Sequence, residues 1–187
     1  MQDNNQKYFE PILAQRSEVP LKSKIHNVLW RFVNSWIFPI TMRSHLLRCL
    51  LLRMFGASVG KRVRLSNRCR IEYPKNIIIG DNSSIGDYCY ISGLDQVRIG
   101  SNVCISDGVN ILTGSHDITS ISFALETRPV FLADGVWLAT RAIILPGAAI
   151  GRGAVVGAGS VVSKQIDDFG IVVGNPANII GKREIFE

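Results

Sequence analysis

Cut in sixes, residues 132–167 read LADGVW, LATRAI, ILPGAA, IGRGAV, VGAGSV and VSKQID. Every block opens on an aliphatic residue: Leu132, Leu138, Ile144, Ile150, Val156 and Val162. The fifth position is small or branched: Val136, Ala142, Ala148, Ala154, Ser160 and Ile166. An α-helix repeats every ~3.6 residues and a strand every ~2, so neither makes this pattern. A period of six implies short strands joined by regular corners, with one aliphatic stem pointing inward from each side. Three sides close a coil, and each coil advances the chain by one strand spacing, roughly 4.8 Å. Gly151, Gly153, Gly157 and Gly159 fall at the corners, where a positive φ is expected. The stretch therefore predicts a hexapeptide β-helix.

The same grammar runs upstream, through Val59, Leu65, Ile71, then Ile79, Ile85, Ile91, then Ile99, Ile105, Ile111. Successive triplets start 20 residues apart, so each early coil carries two extra residues at one corner. Gly80, Gly86 and Gly100 directly follow their aliphatic residues, as in the later blocks. Cys69 and Cys89 occupy equivalent positions and should stack inward. Their Cα separation would permit a disulfide, but small reduced core side chains are the simpler reading. The register breaks between Ile111 and Leu132, where LTGSHDITSISFALETRPVF lacks the sixfold pattern. A loop thrown outward over about 114–129 is expected, and loops on a rigid scaffold are where function concentrates.

Before the repeats, residues 1–20 are polar, punctuated by Pro11 and Pro20, and read as a tail that orders on contact. Residues 21–55 read as helical. Ile25, Val28, Leu29, Phe32, Val33, Trp36 and Ile37 form one apolar stripe, with Lys24, Asn27, Arg31, Asn34 and Ser35 off it. Pro39 is expected to end this helix, and a second run from Arg43 to Phe55 is stopped by Gly56. Two compatible roles are expected for the pair: a cap on the open end of the solenoid, or a basic amphipathic surface against a membrane. The expected organisation is a preface over 1–58, a β-helix over 59–167 and a C-terminal tail over 168–187.

Charge is uneven along the chain. Residues 1–75 carry 14 Lys/Arg against 4 Asp/Glu, whereas residues 76–187 carry 7 against 11. Such a basic end suits an anionic partner: lipid headgroups, a phosphorylated substrate or nucleic acid. No apolar run approaches the ~18 residues that suggest a membrane span. Four cysteines without a secretory leader indicate a reducing compartment, hence a cytoplasmic protein, at most peripheral at the inner membrane face.

Of three histidines, His26 and His45 lie in the preface. His116 lies in the interruption of the repeats, beside Asp117. An imidazole titrating near neutrality suits removal of a proton from a hydroxyl. Three-histidine zinc sites also occur on hexapeptide coils, but one solenoid histidine cannot supply that set, and no metal is expected.

TGSHD, followed by DGVWLATRAIILPGAAIGRGAVVGAGSVVSK and then VVGNPANIIGKR, resembles the hexapeptide-repeat O-acetyltransferases. The nearest branch is that of colanic-acid biosynthesis, beside the maltose, galactoside and nodulation-factor acetyltransferases. The resemblance spans about residues 59–183. It implies a left-handed parallel β-helix, a homotrimer and acetyl-CoA as donor. It implies that His116 is the catalytic base and that Trp137 lines the site from a neighbouring subunit. Thr140, Ala158, Ser163 and Lys164 match positions that contact acetyl-CoA. Two arginines of the galactoside branch fall on Asn178 and Gly181, so contact with the nucleotide phosphates shifts to Lys182 and Arg183. That branch's sugar-binding asparagine and aspartate fall on Gly86 and Leu94, and Ala139 replaces a usual glycine. Asp95 and Asp117 remain as acidic candidates for the acceptor, which is therefore not expected to be free galactoside or maltose.

The reading that results is an O-acetyltransferase acting on a sugar hydroxyl, suited by its basic preface to a lipid-linked saccharide at an anionic membrane, with no nucleic-acid partner. A transferase for a small hydroxyl or amine acceptor, or a non-enzymatic trimeric scaffold, is the alternative.

Overall fold

The computed structural model describes residues 21–41 and 44–184, with side chains from Ile25 onward. The polar tail over 1–20, the side chain of Lys24, and Arg43 lie outside the described residues. The chain winds as a left-handed parallel β-helix. The first coil is β1 (Ser58–Val59), β2 (Arg64–Leu65) and β3 (Arg70–Glu72). The second is β4 (Ile77–Ile79), β5 (Ser84–Ile85) and β6 (Tyr90–Ser92), and the third is β7 (Val97–Ile99), β8 (Cys104–Ile105) and β9 (Asn110–Leu112). A hairpin, β10 (Gly114–His116) and β11 (Leu125–Thr127), then interrupts the winding. The fourth coil is β12 (Val130–Leu132), β13 (Trp137–Leu138) and β14 (Ile143–Ile144); the fifth is β15 (Ala149–Ile150), β16 (Val155–Val156) and β17 (Val161–Val162). Each strand pairs in parallel with its counterpart one coil away, giving three sheets: β1-β4-β7-β12-β15, β2-β5-β8-β13-β16 continued by β18 (Gly170–Val173), and β3-β6-β9-β14-β17.

Burial follows the sixfold pattern. Leu132, Leu138, Ile144, Ile150, Val156 and Val162 are buried, and so are the fifth-position residues from Val136 to Ile166. Cys69 and Cys89 are buried and free, so the inward stacking holds without a disulfide. The two extra residues of an early coil are visible between β3 and β4, where Tyr73 turns left-handed and Pro74–Asn76 form a short 3-10 turn.

The corners obey a rule that positive φ alone does not explain. Gly153 and Gly159 do have positive φ, but Gly151 and Gly157 do not. These two are small for another reason: a Cβ on Gly151 would lie 2.5 Å from the Asp168 backbone nitrogen, and one on Gly157 2.6 Å from Val173 Cγ1. At matching corners the aspartate of the following coil accepts from a backbone N–H of the preceding one. Asp81 takes Lys61 N–H, Asp107 takes Asp87 N–H, Asp134 takes Ser101 N–H and Asp168 takes Arg152 N–H, each at 2.7 Å. The glycine leaves room for the carboxylate, which satisfies an amide the parallel ladder does not reach.

The preface differs in detail from its expected form. α1 (Leu21–Phe32) runs through a π-helical stretch (Val33–Ile37) into a turn (Phe38–Ile40), so Pro39 lies within the helical run and does not end it. Val33 is buried and Ile37 packs partly against the core, but the rest of the expected apolar stripe is exposed. The face turned to the solenoid is Trp30, Val33, Asn34 and Phe38. α2 (His45–Met54) buries Arg48, Cys49 and Leu52 and is capped by Ser44, whose Oγ accepts from Leu47 N–H.

Side chains of the preface terminate the edge of the first coil, strand by strand. Arg53 donates to Val59 O and Gly60 O beyond β1. Arg48 Nε donates to Leu65 O in β2, at 2.8 Å. Trp30 Nε1 donates to Ile71 O in β3, and Asn34 both accepts from Ile71 N–H and donates to Cys69 O. The cap thus satisfies an edge that would otherwise offer open backbone groups to another strand.

The chain does not become a loose tail after Asp167. Ile166 bridges Ile150, β18 extends a sheet, and β19 (Asn178–Lys182) folds back antiparallel on β18.

Candidate active site

The hairpin departs from the coil at Thr113, which is fully buried. Its hydroxyl donates to Ser92 O at 2.6 Å and accepts from Asp95 N–H at 3.0 Å. Arg128 N–H donates to Thr113 O and closes the base of the hairpin. Gly114 passes against Leu94, where a Cβ would come within 2.5 Å of Leu94 Cδ1. The pairing His116↔Leu125 and the bond from Asp117 N–H to Ala124 O fix the far end. The expected outward loop is therefore a paired hairpin, and pairing is what gives its histidine a defined place.

His116 is half-buried, and its ring stacks on Phe123 at 4.3 Å between centroids with 8° between planes. Its Nδ1 lies 2.8 Å from Phe123 O. A carbonyl oxygen can only accept, so in the neutral ring Nδ1 carries the proton and Nε2 is left with its lone pair. That is the tautomer a general base requires. Asp117 takes no part in orienting the ring: its carboxylate accepts from Thr119 N–H and Thr119 Oγ1, and these bonds hold its pKa below the ordinary carboxylate range. Asp95 is half-buried, and its Oδ1 accepts from Gln96 N–H.

The other candidates lie on the prism wall. Trp137 opens β13 with its ring outward, 45% exposed, and Nε1 donates to Ser106 Oγ at 3.1 Å. Thr140 and Ala158 are exposed at one corner, a coil apart, where Gly159 N–H donates to Thr140 O. Ser163 and Lys164 are exposed after β17, and Lys182 is exposed at the end of β19. Arg183 Nη1 donates to Gly135 O and Gly153 O, at 3.3 Å each. Trp137 and the hairpin belong to different faces of the prism: β13 lies in the β2-β5-β8 sheet, while the hairpin leaves the β3-β6-β9 sheet.

Two residues that hold the candidate side chains, Phe123 at His116 and Ser106 at Trp137, carry little mark in the sequence. Phe123 acts through its carbonyl and a left-handed φ of 46°, and no residue pattern announces either. Ser106 lies two residues beyond Cys104, the register partner of Trp137, and its N–H donates to Leu138 O.

The family profile described as bacterial transferase hexapeptide (six repeats) matches residues 129–164. The chain is 36% identical over 156 residues to the putative colanic acid biosynthesis acetyltransferase WcaF of Escherichia coli, covering 83% of this chain and 86% of that protein. A maltose O-acetyltransferase structure from Clostridium difficile is 33% identical, with a TM-score of 0.75 over 87% of this chain and 86% of that one. A galactoside acetyltransferase in complex with coenzyme A shares the fold, with a TM-score of 0.81, 24% identity, and coverage of 89% and 84%. The fourth and fifth coils fall within the matched profile, and the chain belongs to the hexapeptide-repeat acetyltransferase family.

Proposed function

We propose that this protein is an acetyl-CoA-dependent O-acetyltransferase that acts on a sugar hydroxyl in polysaccharide biosynthesis. The observation that carries this reading is the His116 ring, with Nδ1–H held by Phe123 O and Nε2 left as the acceptor. Membership of an acetyltransferase family supplies the reaction class. Acetyl-CoA, when bound, supplies an acetyl group activated as a thioester. Nε2 of His116 takes the acceptor hydroxyl proton as that oxygen attacks the acetyl carbon. The carbon–sulfur bond breaks as the ester forms, and the proton passes from Nε2 to the departing thiolate. Backbone N–H groups are the expected donors to the developing oxyanion.

Trp137, Thr140, Ala158, Ser163 and Lys164 would line the donor along the wall. Lys182 would meet its phosphates. Arg183 would serve that end by holding Gly135 and Gly153, given where its guanidinium points. Asp95 and Asp117 stay the acidic candidates on the acceptor side of the hairpin. The working form is a homotrimer in which His116 of one subunit meets Trp137 of the next, a reading supported by their placement on different faces. The protein works in the cytoplasm on a lipid-linked saccharide, in peripheral contact with an anionic membrane; the charge asymmetry of the chain supports this. No helix among the described residues is long and apolar enough to cross a membrane.

The test is thiol release from acetyl-CoA with a panel of saccharides. Acceptor-dependent release, with the ester located on the sugar, supports the proposal. Release only with amines, or none with any acceptor, overturns it.

A further inference from the structure

The cap buries one side of its helices and leaves the other uncovered. Val28, Phe32, Trp36 and Ile40 succeed one another at intervals of four, and all are exposed, Trp36 at 69%. Leu46, Leu50 and Met54 do the same on α2, Leu46 at 81%. The opposite sides are pinned to the first coil, through Trp30 to Ile71 O on one run and Cys49 to Val63 O on the other. Both apolar ridges therefore face away from the first coil, at the same end of the solenoid. Soluble proteins rarely leave large apolar side chains exposed in such numbers at one end without a use for them.

A belt of cations lies directly behind this surface. The first coil and the turn after it carry Lys61, Arg62, Arg64, Arg68, Arg70 and Lys75 against Glu72 alone, and all six cations are exposed. Arg68 is near Asp87 and Arg70 pairs with Glu72, whereas Lys61, Arg62, Arg64 and Lys75 have no ion pair among the described residues. Past residue 75 the balance turns acidic, 11 against 7. The molecule is thus electrically polar along its winding axis, with the apolar patch at the positive end.

We infer that this end is a mooring surface, whose apolar ridges enter the headgroup–acyl boundary of an anionic bilayer while the first-coil cations meet the headgroups. The inference rests on the peripheral contact proposed above and names its surface and orientation. An amphipathic helix binds in this way through its apolar face, and nearby basic residues add about 1 kcal/mol each on an anionic leaflet. Trp36 suits the interface, where indoles concentrate. The solenoid then stands upright. His116 follows the third coil, so two coil spacings of ~4.8 Å and a helix layer of ~10 Å hold it roughly 20 Å from the headgroup–acyl boundary. A membrane-borne acceptor must extend its hydroxyl that far.

The experiment is flotation of the full chain with vesicles of phosphatidylcholine and phosphatidylglycerol in equal parts, beside vesicles of phosphatidylcholine alone. The native protein should float with the anionic vesicles and be released by salt. A Trp36→Ser/Ile40→Ser/Leu46→Ser/Leu50→Ser variant should lose at least about tenfold in partitioning, with its melting temperature little changed because these side chains are exposed and none belongs to the core. A Lys61→Gln/Arg62→Gln/Arg64→Gln/Lys75→Gln variant should lose about as much on anionic vesicles and nothing on neutral ones. Native protein that ignores anionic vesicles overturns the inference, as does undiminished binding by the first variant. A fall in oligomer size in that variant, without any vesicle binding by the native chain, would assign the surface to a second copy and also overturns it. Thiol release on a soluble saccharide, measured in the same preparations without lipid, separates mooring from catalysis: activity without flotation removes the mooring and leaves the transferase.

Discussion

At the scale of single residues, the proposed chemistry rests on how one imidazole is held. His116→Ala should lower turnover by roughly 10²–10⁴, the usual contribution of a positioned base. The fold should be untouched, since the ring packs on Phe123 outside the solenoid core. Unchanged turnover in purified, correctly folded variant would remove His116 from the mechanism. Phe123→Leu makes a finer test, because it keeps the carbonyl that fixes the tautomer and removes only the stacked ring. A stacked pair contributes about 0.5–1.5 kcal/mol, so the expected loss is about tenfold or less. A loss as large as that of His116→Ala would mean that the ring itself, and not the carbonyl, positions the base. The buried cysteines offer a prediction of a different kind. Burial pushes the Cys69 thiol up to about 12, helped by Cys89 beside it, and burial likewise pushes Cys89 up to about 11. The folded state therefore holds protons that the unfolded chain releases at its ordinary value of 9.0. Their contribution is fully present below about pH 9 and is lost as pH climbs toward 11–12. Denaturant midpoints measured across that window should fall more steeply for the native chain than for Cys69→Ala/Cys89→Ala. Parallel slopes would show that the two thiols titrate normally.

At the scale of elements, the cap closes the first coil by side-chain hydrogen bonds as much as by apolar contact. Asn34 is the clearest case, because it satisfies both Ile71 N–H and Cys69 O. Asn34→Ala should cost about 1–3 kcal/mol, the usual consequence of leaving buried backbone groups unpaired. A melting temperature within error of the native value would mean that water replaces the amide. Arg48 and Arg53, which a charge count alone would assign to a lipid surface, donate to Leu65, Val59 and Gly60 instead. Exchanging them for Gln would confuse loss of binding with loss of fold. The solenoid was legible in the sequence because each inward side chain recurs at fixed spacing, and Leu132 to Val162 are buried as the sixfold pattern requires. The sense of the cap was not. Helical periodicity locates apolar ridges, but the run around Trp30 and the run around Trp36 are both apolar, and only the first meets strand edges needing donors. The hairpin was legible as an interruption and not as a hairpin. Its two strands, GSH and LET, are short, and its pairing is fixed by backbone bonds that leave no mark on residue type. The Asp-and-glycine corners were half legible: the glycines stood out, whereas the aspartates that fill their space lie a coil further along the chain.

At the scale of the whole molecule, the arrangement of faces bears on how many chains make one site. The hairpin leaves the β3-β6-β9 sheet, and Trp137 stands outward on the β2-β5-β8 sheet. A cyclic trimer would bring such faces of neighbouring subunits together three times over. Suppose each site needs His116 from one subunit and Trp137 from the next. A His116→Ala chain and a Trp137→Ala chain are then each inactive as homotrimers. In any mixed trimer, whichever chain is in the majority, the cyclic order leaves one boundary where intact His116 meets intact Trp137. Random assembly from equal amounts makes about three quarters of the trimers mixed, each with one working site in three. The expected recovery is therefore about one quarter of native turnover per trimer. The measurement is thiol release after the two variants are denatured together and refolded, with each variant refolded alone as the control. Recovery near that fraction places the site at the boundary between subunits. Co-assembled mixtures that stay as inactive as the separate variants would confine each site to a single chain.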